Sequence, residues 1–499
     1  MMNTLAAPAP QTEQSESTHG PRLRWVLVLT SAAFFMTCLD SLVVGTSLPR
    51  IQESLHVGFA SLQWTVNAYN IAVAAGIICA AALGDRYGRR RFFVLGLALF
   101  TVASAACALA PTAALLIAAR SAQGLGGAII LPLSLTILTE AYPAERRAAV
   151  FRIYGGLAGL AVALGPIVGG AVTQGLDWHW IFWINVPIGI AAGVLSMRLL
   201  PETLGPRGRL DLGGVALVTI ALVGIVLSLV RANDAGWTSA ETVSTFAVGV
   251  AALAAFVAWE ARVEHPMLSL QLLRIPAFAA GNAAAVCAMG SISAGAFLTT
   301  QYFQFGLGYS PLQTGLRLLP FFGTPMIVAP LAGRFSGRIG LRPIIVAGLA
   351  LLALGFATVA FAASLHPSYL ILVIALFIAG VGVSMTIPTV PAAVFGAVDT
   401  EQMGTASGTN SMLQRFGAVF GVAVASAVFS TYGGLGSPAA FTAGFRPAVM
   451  MAGALALLGA MAGCAVASRA PSEPATATET PTPASSATTA RAPQQQVLS

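Results

Sequence analysis

Long runs without a single charge recur along this chain, and few architectures accept them. Leu62 to Leu83 is one such run and Phe92 to Ala110 is another. Each is close to the ~20 apolar residues that a helix needs to cross the hydrocarbon core of a bilayer. Between them stands Gly84-Asp85-Arg86-Tyr87-Gly88-Arg89-Arg90-Arg91, which packs five charges into one turn of a chain that is only 9% charged. A turn this short and this rich in arginine resists translocation and is expected on the cytoplasmic side. The rest of the chain is then threaded by alternation.

The bulk numbers agree with that reading. A soluble globular domain carries ~25% charged residues, whereas this 499-residue chain is 57% hydrophobic with a mean hydropathy of +0.81. Continuous apolar runs exclude an outer-membrane barrel, whose strands alternate apolar and polar residues. Helices remain, because lipid offers backbone groups no partner. The net charge of +7 comes from arginines placed in short loops, so it reads as topology and not as a nucleic-acid surface. The five cysteines lie in apolar runs without a CxxC pair and read as small buried hydrophobes, with neither a disulfide framework nor a metal site.

Apolar runs of spanning length number fourteen: 25–48, 62–84, 92–110, 113–138, 149–173, 180–200, 211–231, 243–261, 277–305, 314–336, 342–364, 369–395, 406–430 and 444–468. With the amino terminus inside, this threading puts nineteen of the twenty-five arginines on the cytoplasmic side and four outside. Such a bias supports it. Arg120 and Arg415 fall within spans. A weaker copy of the arginine turn, Gly333-Arg334-Phe335-Ser336-Gly337-Arg338-Ile339-Gly340-Leu341-Arg342, joins spans 10 and 11. Spans 2 and 10 correspond if spans 7 and 8 are an insertion between two parallel halves. The expected organisation is a disordered tail over 1–24, a six-helix bundle over 25–200, a linker with two inserted spans over 201–262, a second six-helix bundle over 263–468, and a disordered tail over 469–499. Residues 1–21 lack the basic start and apolar stretch of a signal peptide.

Few polar groups remain for chemistry inside the membrane. All five histidines fall in tails or loops, and seventeen of eighteen acids fall in tails, loops or span ends. Asp40 is the one carboxylate well inside a span, and such a residue is a functional candidate by default. Counted at ~1.5 Å per residue, its depth nearly matches that of Arg120. The pair reads either as a proton-coupling site or as a static salt bridge between helices. Arg415 reads either as a pathway residue or as a structural charge bonded to backbone carbonyls. Gly155-Gly156-Leu157-Ala158-Gly159 and Gly165-Pro166-Ile167-Val168-Gly169-Gly170 read either as a flexible seam or as ordinary small-residue packing. Asn67, Tyr69, Asn70 and Gln123 are candidates to line a cavity, and Trp25 and Trp64 read as interface anchors.

At these residues the sequence resembles the major facilitator superfamily, specifically its fourteen-span drug:proton antiporter branch. Gly84, Asp85, Arg86, Gly88, Arg89 and Arg90 match its cytoplasmic loop motif, which implies a conformational gate. Leu39-Asp40-Ser41-Leu42-Val43-Val44 with Leu48-Pro49 is similar to its span 1 element, departing from it at Ser41, Leu42, Gly45 and Ser47. Arg120-Ser121-Ala122-Gln123-Gly124-Leu125-Gly126-Gly127 is similar to the span 4 motif, whose arginine is implicated in proton transfer. Gly156, Gly165, Pro166, Gly169 and Gly170 resemble the antiporter signature of span 5. Trp180-Ile181-Phe182-Trp183-Ile184-Asn185-Val186-Pro187-Ile188-Gly189 adds an element typical of the branch. The later spans carry none of the extra acids that some multidrug members have, which argues against a dicationic-drug preference.

The resemblance implies an all-α polytopic protein: two six-helix bundles plus two extra central helices. It also implies a proton-coupled exporter of amphipathic drugs or other organic molecules in the bacterial inner membrane, with both termini cytoplasmic. Asp40 would titrate, pairing with Arg120 in one state and released from it in another. Arg415 joins Asn67, Asn70 and Gln123 as possible cavity residues. Protons serve as the coupling ion and no cofactor is expected; the partners are a small-molecule substrate and the lipid bilayer, with no nucleic acid. A monomer is expected, with room for periplasmic and outer-membrane efflux partners. Two alternatives stand: a dedicated exporter of one metabolite, antibiotic or siderophore, and a non-transporting sensor or scaffold with a transporter fold. Without a Ser/His/Asp arrangement, metal cluster or nucleotide loop in the sequence, an enzyme is not expected.

Overall fold

The computed structural model describes residues 16–205, 211–263, 270–399 and 402–466. Residues 1–15 of the expected amino-terminal tail, the whole expected tail over 469–499, and Arg207 and Arg209 in the linker lie outside them. Seventeen α-helices follow in order: α1 (Glu16–Leu55), α2 (Phe59–Tyr87), α3 (Arg89–Ala108), α4 (Ala113–Ala141), α5 (Ala144–Gly175), α6 (Trp180–Trp183), α7 (Asn185–Leu199), α8 (Leu212–Ala235), α9 (Ala240–Glu260), α10 (Pro276–Gln301), α11 (Pro311–Arg317), α12 (Leu319–Phe322), α13 (Thr324–Ile339), α14 (Leu341–Ala362), α15 (Tyr369–Phe395), α16 (Met403–Tyr432) and α17 (Pro438–Gly463). Twelve segments are long and apolar enough to span a membrane, and counting each of two bent pairs as one span raises the number to fourteen.

The bends follow from local chemistry. The tenth apolar run is one span in sequence but three helices in space, α11 to α13, and the pair that it forms bends by 42°. Pro320 and Pro325 stand in the first turns of α12 and α13, where each lacks the N–H that would continue the helix before it, and Pro330 lies inside α13. The ninth run leaves α-geometry after Gln301 for a π-turn, Tyr302–Gly306. Helix α2 bends by 49° between Ile77 and Cys79. One expectation is corrected at the amino end. Helix α1 begins at Glu16 instead of near Trp25, because lengthening a helix already nucleated by a membrane span adds one bond per residue fixed.

The two arginine turns share their backbone. Gly88 separates α2 from α3 at φ 111°, and Gly340 separates α13 from α14 at φ 88°. Both occupy a conformation that costs a residue with a Cβ about 1–2 kcal/mol, which explains a glycine at the same point of each turn.

Helices α1 to α5 and α7 pack on one another, as do α10 and α13 to α17. The α8–α9 hairpin packs against both α2 and α16, across the seam between the two groups. We call the end that carries the Gly88 and Gly340 turns the loop end, and the opposite end the far end. At the far end the groups touch directly. Gln301 Nε2 donates to the Gly45 carbonyl at 3.2 Å and Gln304 Nε2 to that of Thr46 at 2.9 Å, while the Leu312 amide donates to Gln174 Oε1 at 3.3 Å. The Phe59 ring lies 4.6 Å from that of Phe429. Between the groups a cavity of about 1510 Å³ runs from this closure to the loop end.

Candidate functional site

Asp40 is turned away from that cavity and lies inside the first group, 3% exposed. Its Oδ2 accepts from Arg120 Nη1 at 2.6 Å. Its Oδ1 accepts from Gln123 Nε2 at 2.9 Å and from Asn185 Nδ2 at 2.8 Å. Arg120, 1% exposed, also donates to Gln123 Oε1 at 2.6 Å and, through Nε, to the Thr65 carbonyl at 3.3 Å. Ser104 Oγ accepts from Gln123 at 2.7 Å. The guanidinium rests 4.3 Å from the Tyr69 ring centroid and 5.8 Å from that of Phe182.

Five helices therefore contribute to one network, and the carboxylate at its centre accepts three hydrogen bonds, from α4 and α7. A buried ion pair survives its desolvation cost only when its remaining donors and acceptors are satisfied, which is what Gln123, Asn185 and Ser104 accomplish. The depth match read from sequence is a direct ion pair. Asn185 and Ser104 were missed, because neutral residues in apolar runs give no charge signal. The stretch Trp180 to Gly189 was singled out without its asparagine being assigned a partner.

The cavity receives only part of its expected lining. Asn70 and Arg415 line it; Asn67 and Gln123 do not. Gln123 is committed to the Asp40 network. Asn67 is fully buried, a step around α2 from the face of Val66 and Asn70. Tyr69 lies beneath Arg120 instead of on the cavity wall. Two acids read as span ends line the cavity. Asp211 caps α8, its Oδ1 accepting from the Gly214 amide at 2.8 Å and from Trp259 Nε1 at 2.7 Å. Glu260 ends α9 beside it, and both line the cavity mouth at the loop end with Asp85 and Arg274. Their burial comes from the α8–α9 hairpin crossing the seam, which no local pattern announces.

The loop motif is stapled to its own half. Arg89 Nε donates to Asp85 Oδ1 at 2.6 Å, and Arg89 also pairs with Glu140. The Gly205 amide donates to the Asp85 carbonyl at 2.9 Å, the Arg90 amide to Glu202 Oε1 at 3.1 Å, and Arg90 Nη1 to the Leu200 carbonyl at 3.2 Å. Gly84 lies against Leu133, and the Arg86 guanidinium over the Tyr87 ring at 5.5 Å.

The span 5 glycines divide into three roles. Gly165 and Gly169 face Leu42 and Val43 of α1, with gaps of 2.6 Å and 2.7 Å from a Cβ position to Leu42 Cβ and to the Val43 carbonyl. Gly170 meets Pro311 and Leu312 of α11, and Gly315 of α11 meets the carbonyl of Pro166, so this part of the motif is the far-end closure itself. Gly156 has open space around it and forms no close packing here, a correction to the seam expected over 155–159.

Comparison with known proteins agrees with this architecture. The chain matches the Major Facilitator Superfamily over residues 30–285 and 280–498. The "Multidrug resistance protein Stp" of Mycobacterium tuberculosis is 36% identical over 408 residues, 81% of this chain and 76% of that one. The "Methylenomycin A resistance protein" of Streptomyces coelicolor is 32% identical over 404 residues, 80% of this chain and 84% of that one. A crystal structure of the peptide transporter POT in complex with sulfate superposes with a TM-score of 0.66 at 16% identity, covering 89% of this chain and 95% of the other, which shows the shared fold. The chain is a multi-pass membrane transporter and not an enzyme. It belongs to the Major Facilitator Superfamily.

Proposed function

We propose that this protein exports amphipathic drugs or other organic molecules from the cytoplasm and draws the energy from protons moving inward. Its curated relatives are named for multidrug and antibiotic resistance, which supports the cargo class. The threading by arginine bias supports a cytoplasmic loop end in the bacterial inner membrane. In that orientation the cavity faces the cytoplasm and α5 against α11 forms the outer gate, the state in which an exporter collects its cargo. Residues 25–200 and 263–468 act as the two rocking bundles, the 201–262 pair bridging them.

One observation carries proton coupling: a saturated Asp40–Arg120 pair sits behind the cavity wall, on α1, whose other face lines the cavity through Cys38 and Ser41. A shift of α1 on cargo binding alters the Asp40 contacts to two other helices, α4 and α7, at once. Parting from Arg120 leaves an Asp40 oxygen without its donor and open to a proton. The loop motif, held within its own half here, is free to engage the second half when the loop end closes.

The test is dye accumulation in a sensitised bacterial host. Wild type lowers accumulation, a protonophore abolishes the effect, and Asp40→Asn at equal expression behaves like the empty host. Export by Asp40→Asn as fast as by wild type, in the presence of a gradient, sinks the role of Asp40. A sensor or scaffold predicts no gradient-driven dye movement by wild type.

A further inference from the structure

Arg415 and Arg120 are the two arginines well inside the spans, and they are treated in opposite ways. Every face of Arg120 is met by a carboxylate, an amide, a carbonyl or a ring. Arg415 lies on the wall of the cavity, some twelve residues or ~18 Å along α16 from the loop end, half-buried, and makes no hydrogen bond or ion pair with any described residue. A guanidinium carries five donors, accepts nothing and stays protonated. Holding that charge at membrane depth is costly, and such residues pair with a counter-charge or line a water-filled pathway.

Among the described residues no acid that lines the cavity lies at that level. The acids of the cavity, Asp85, Asp211 and Glu260, all lie at the loop-end mouth, near the end of α2, at the start of α8 and at the end of α9. Asp40 is turned away and already bonded to Arg120, Gln123 and Asn185. The cavity wall also offers neutral groups such as Ser41, Asn70 and Gln414, and the rings of Phe34 and Phe297.

We propose that Arg415 is the recognition point for an organic oxyanion, a carboxylate or ionised phenol carried on an apolar ring frame. The inference rests on the efflux reading above and names the class of its cargo. A planar guanidinium fork takes two oxygens side by side, which orients the ligand as well as attracting it. The ring frame then lies along the aromatic wall. A cavity of about 1510 Å³, against ~300–1,000 Å³ for drug-sized sites, leaves room for several fused rings and for water around the fixed charge.

The test uses purified full-length protein and two dyes on one xanthene frame, carboxyfluorescein as the anion and rhodamine 6G as the cation, with binding read by fluorescence polarisation. Wild type binds the anion more tightly. Arg415→Gln weakens carboxyfluorescein at least tenfold and leaves rhodamine 6G within twofold. Arg415→Lys, which keeps the charge without the fork, retains part of the affinity and serves as the folding control, matched by thermal unfolding. Arg415→Glu reverses the preference. Equal carboxyfluorescein binding by wild type and Arg415→Gln, tighter cation than anion binding by wild type, or no binding of either dye overturns the proposal. Gradient-driven transport in everted vesicles separates this failure from failure of the efflux reading. Movement of rhodamine 6G without Arg415-dependent anion binding leaves efflux standing and removes the anion site, whereas Arg415-dependent binding without any gradient-driven movement does the reverse.

Discussion

At the residue scale, the distinction between a coupling site and a static clamp at Asp40 can be drawn by charge balance. Removing Arg120 alone strands a buried carboxylate, which costs about 3–5 kcal/mol, so Arg120→Ala should unfold at a markedly lower temperature in detergent. Replacing both partners by amides, Asp40→Asn with Arg120→Gln, removes the stranded charge and should recover most of that loss. Transport should stay at background in both variants, since Arg120→Ala leaves Asp40 without the partner it must exchange and the double variant has no carboxylate at the site. If transport returns along with stability in the double variant, the pair is a clamp and the coupling carboxylate lies elsewhere. The pairing itself was half legible: two charges at one depth in apolar runs are visible in any sequence, but the amides of Gln123 and Asn185 that complete the carboxylate's shell are not.

At the element scale, α5 shows how one motif serves two contacts. Gly165 and Gly169 let α1 approach, while Gly170 lets α11 close the far end. A Cβ on Gly170 would overlap the Pro311 backbone, so Gly170→Val should hold the far end apart. Spin-label distances between α5 and α11 should lengthen, and efflux should fall to background. Gly156→Val fills open space and should change neither measurement by more than about twofold, helix propensity within ~1 kcal/mol being its main effect. An equal loss of efflux in both variants would mean that the motif acts through backbone flexibility instead of this contact. The same scale accounts for the broken tenth span. Its three prolines are plain in the sequence, but whether they kink or end a helix depends on the neighbours that re-satisfy the freed carbonyls.

At the scale of the whole molecule, the closed far end and the open loop end define one conformer of an alternating cycle. Joining the bundles at the far end should arrest it. With the native cysteines replaced, Gln174→Cys and Leu312→Cys bridged by a bis-methanethiosulfonate linker should stop efflux, and reduction of its disulfides should restore it. Dye binding from the loop end should survive bridging. Unimpaired efflux in the bridged protein would show that this contact need not open during transport. The amino-acid sequence by itself determined the spans, the two arginine turns with their glycines, and the ion-paired depth of Asp40 and Arg120. These follow from hydropathy, backbone sterics and the cost of charge in lipid, all of which act along one segment. Only the tertiary structure decided which polar residues face the cavity, which end is closed, and that Asp211 and Glu260 line its mouth while Arg415 stands without a counter-charge among the described residues. Those facts depend on helix rotation and on packing between segments hundreds of residues apart, where no local signal reaches.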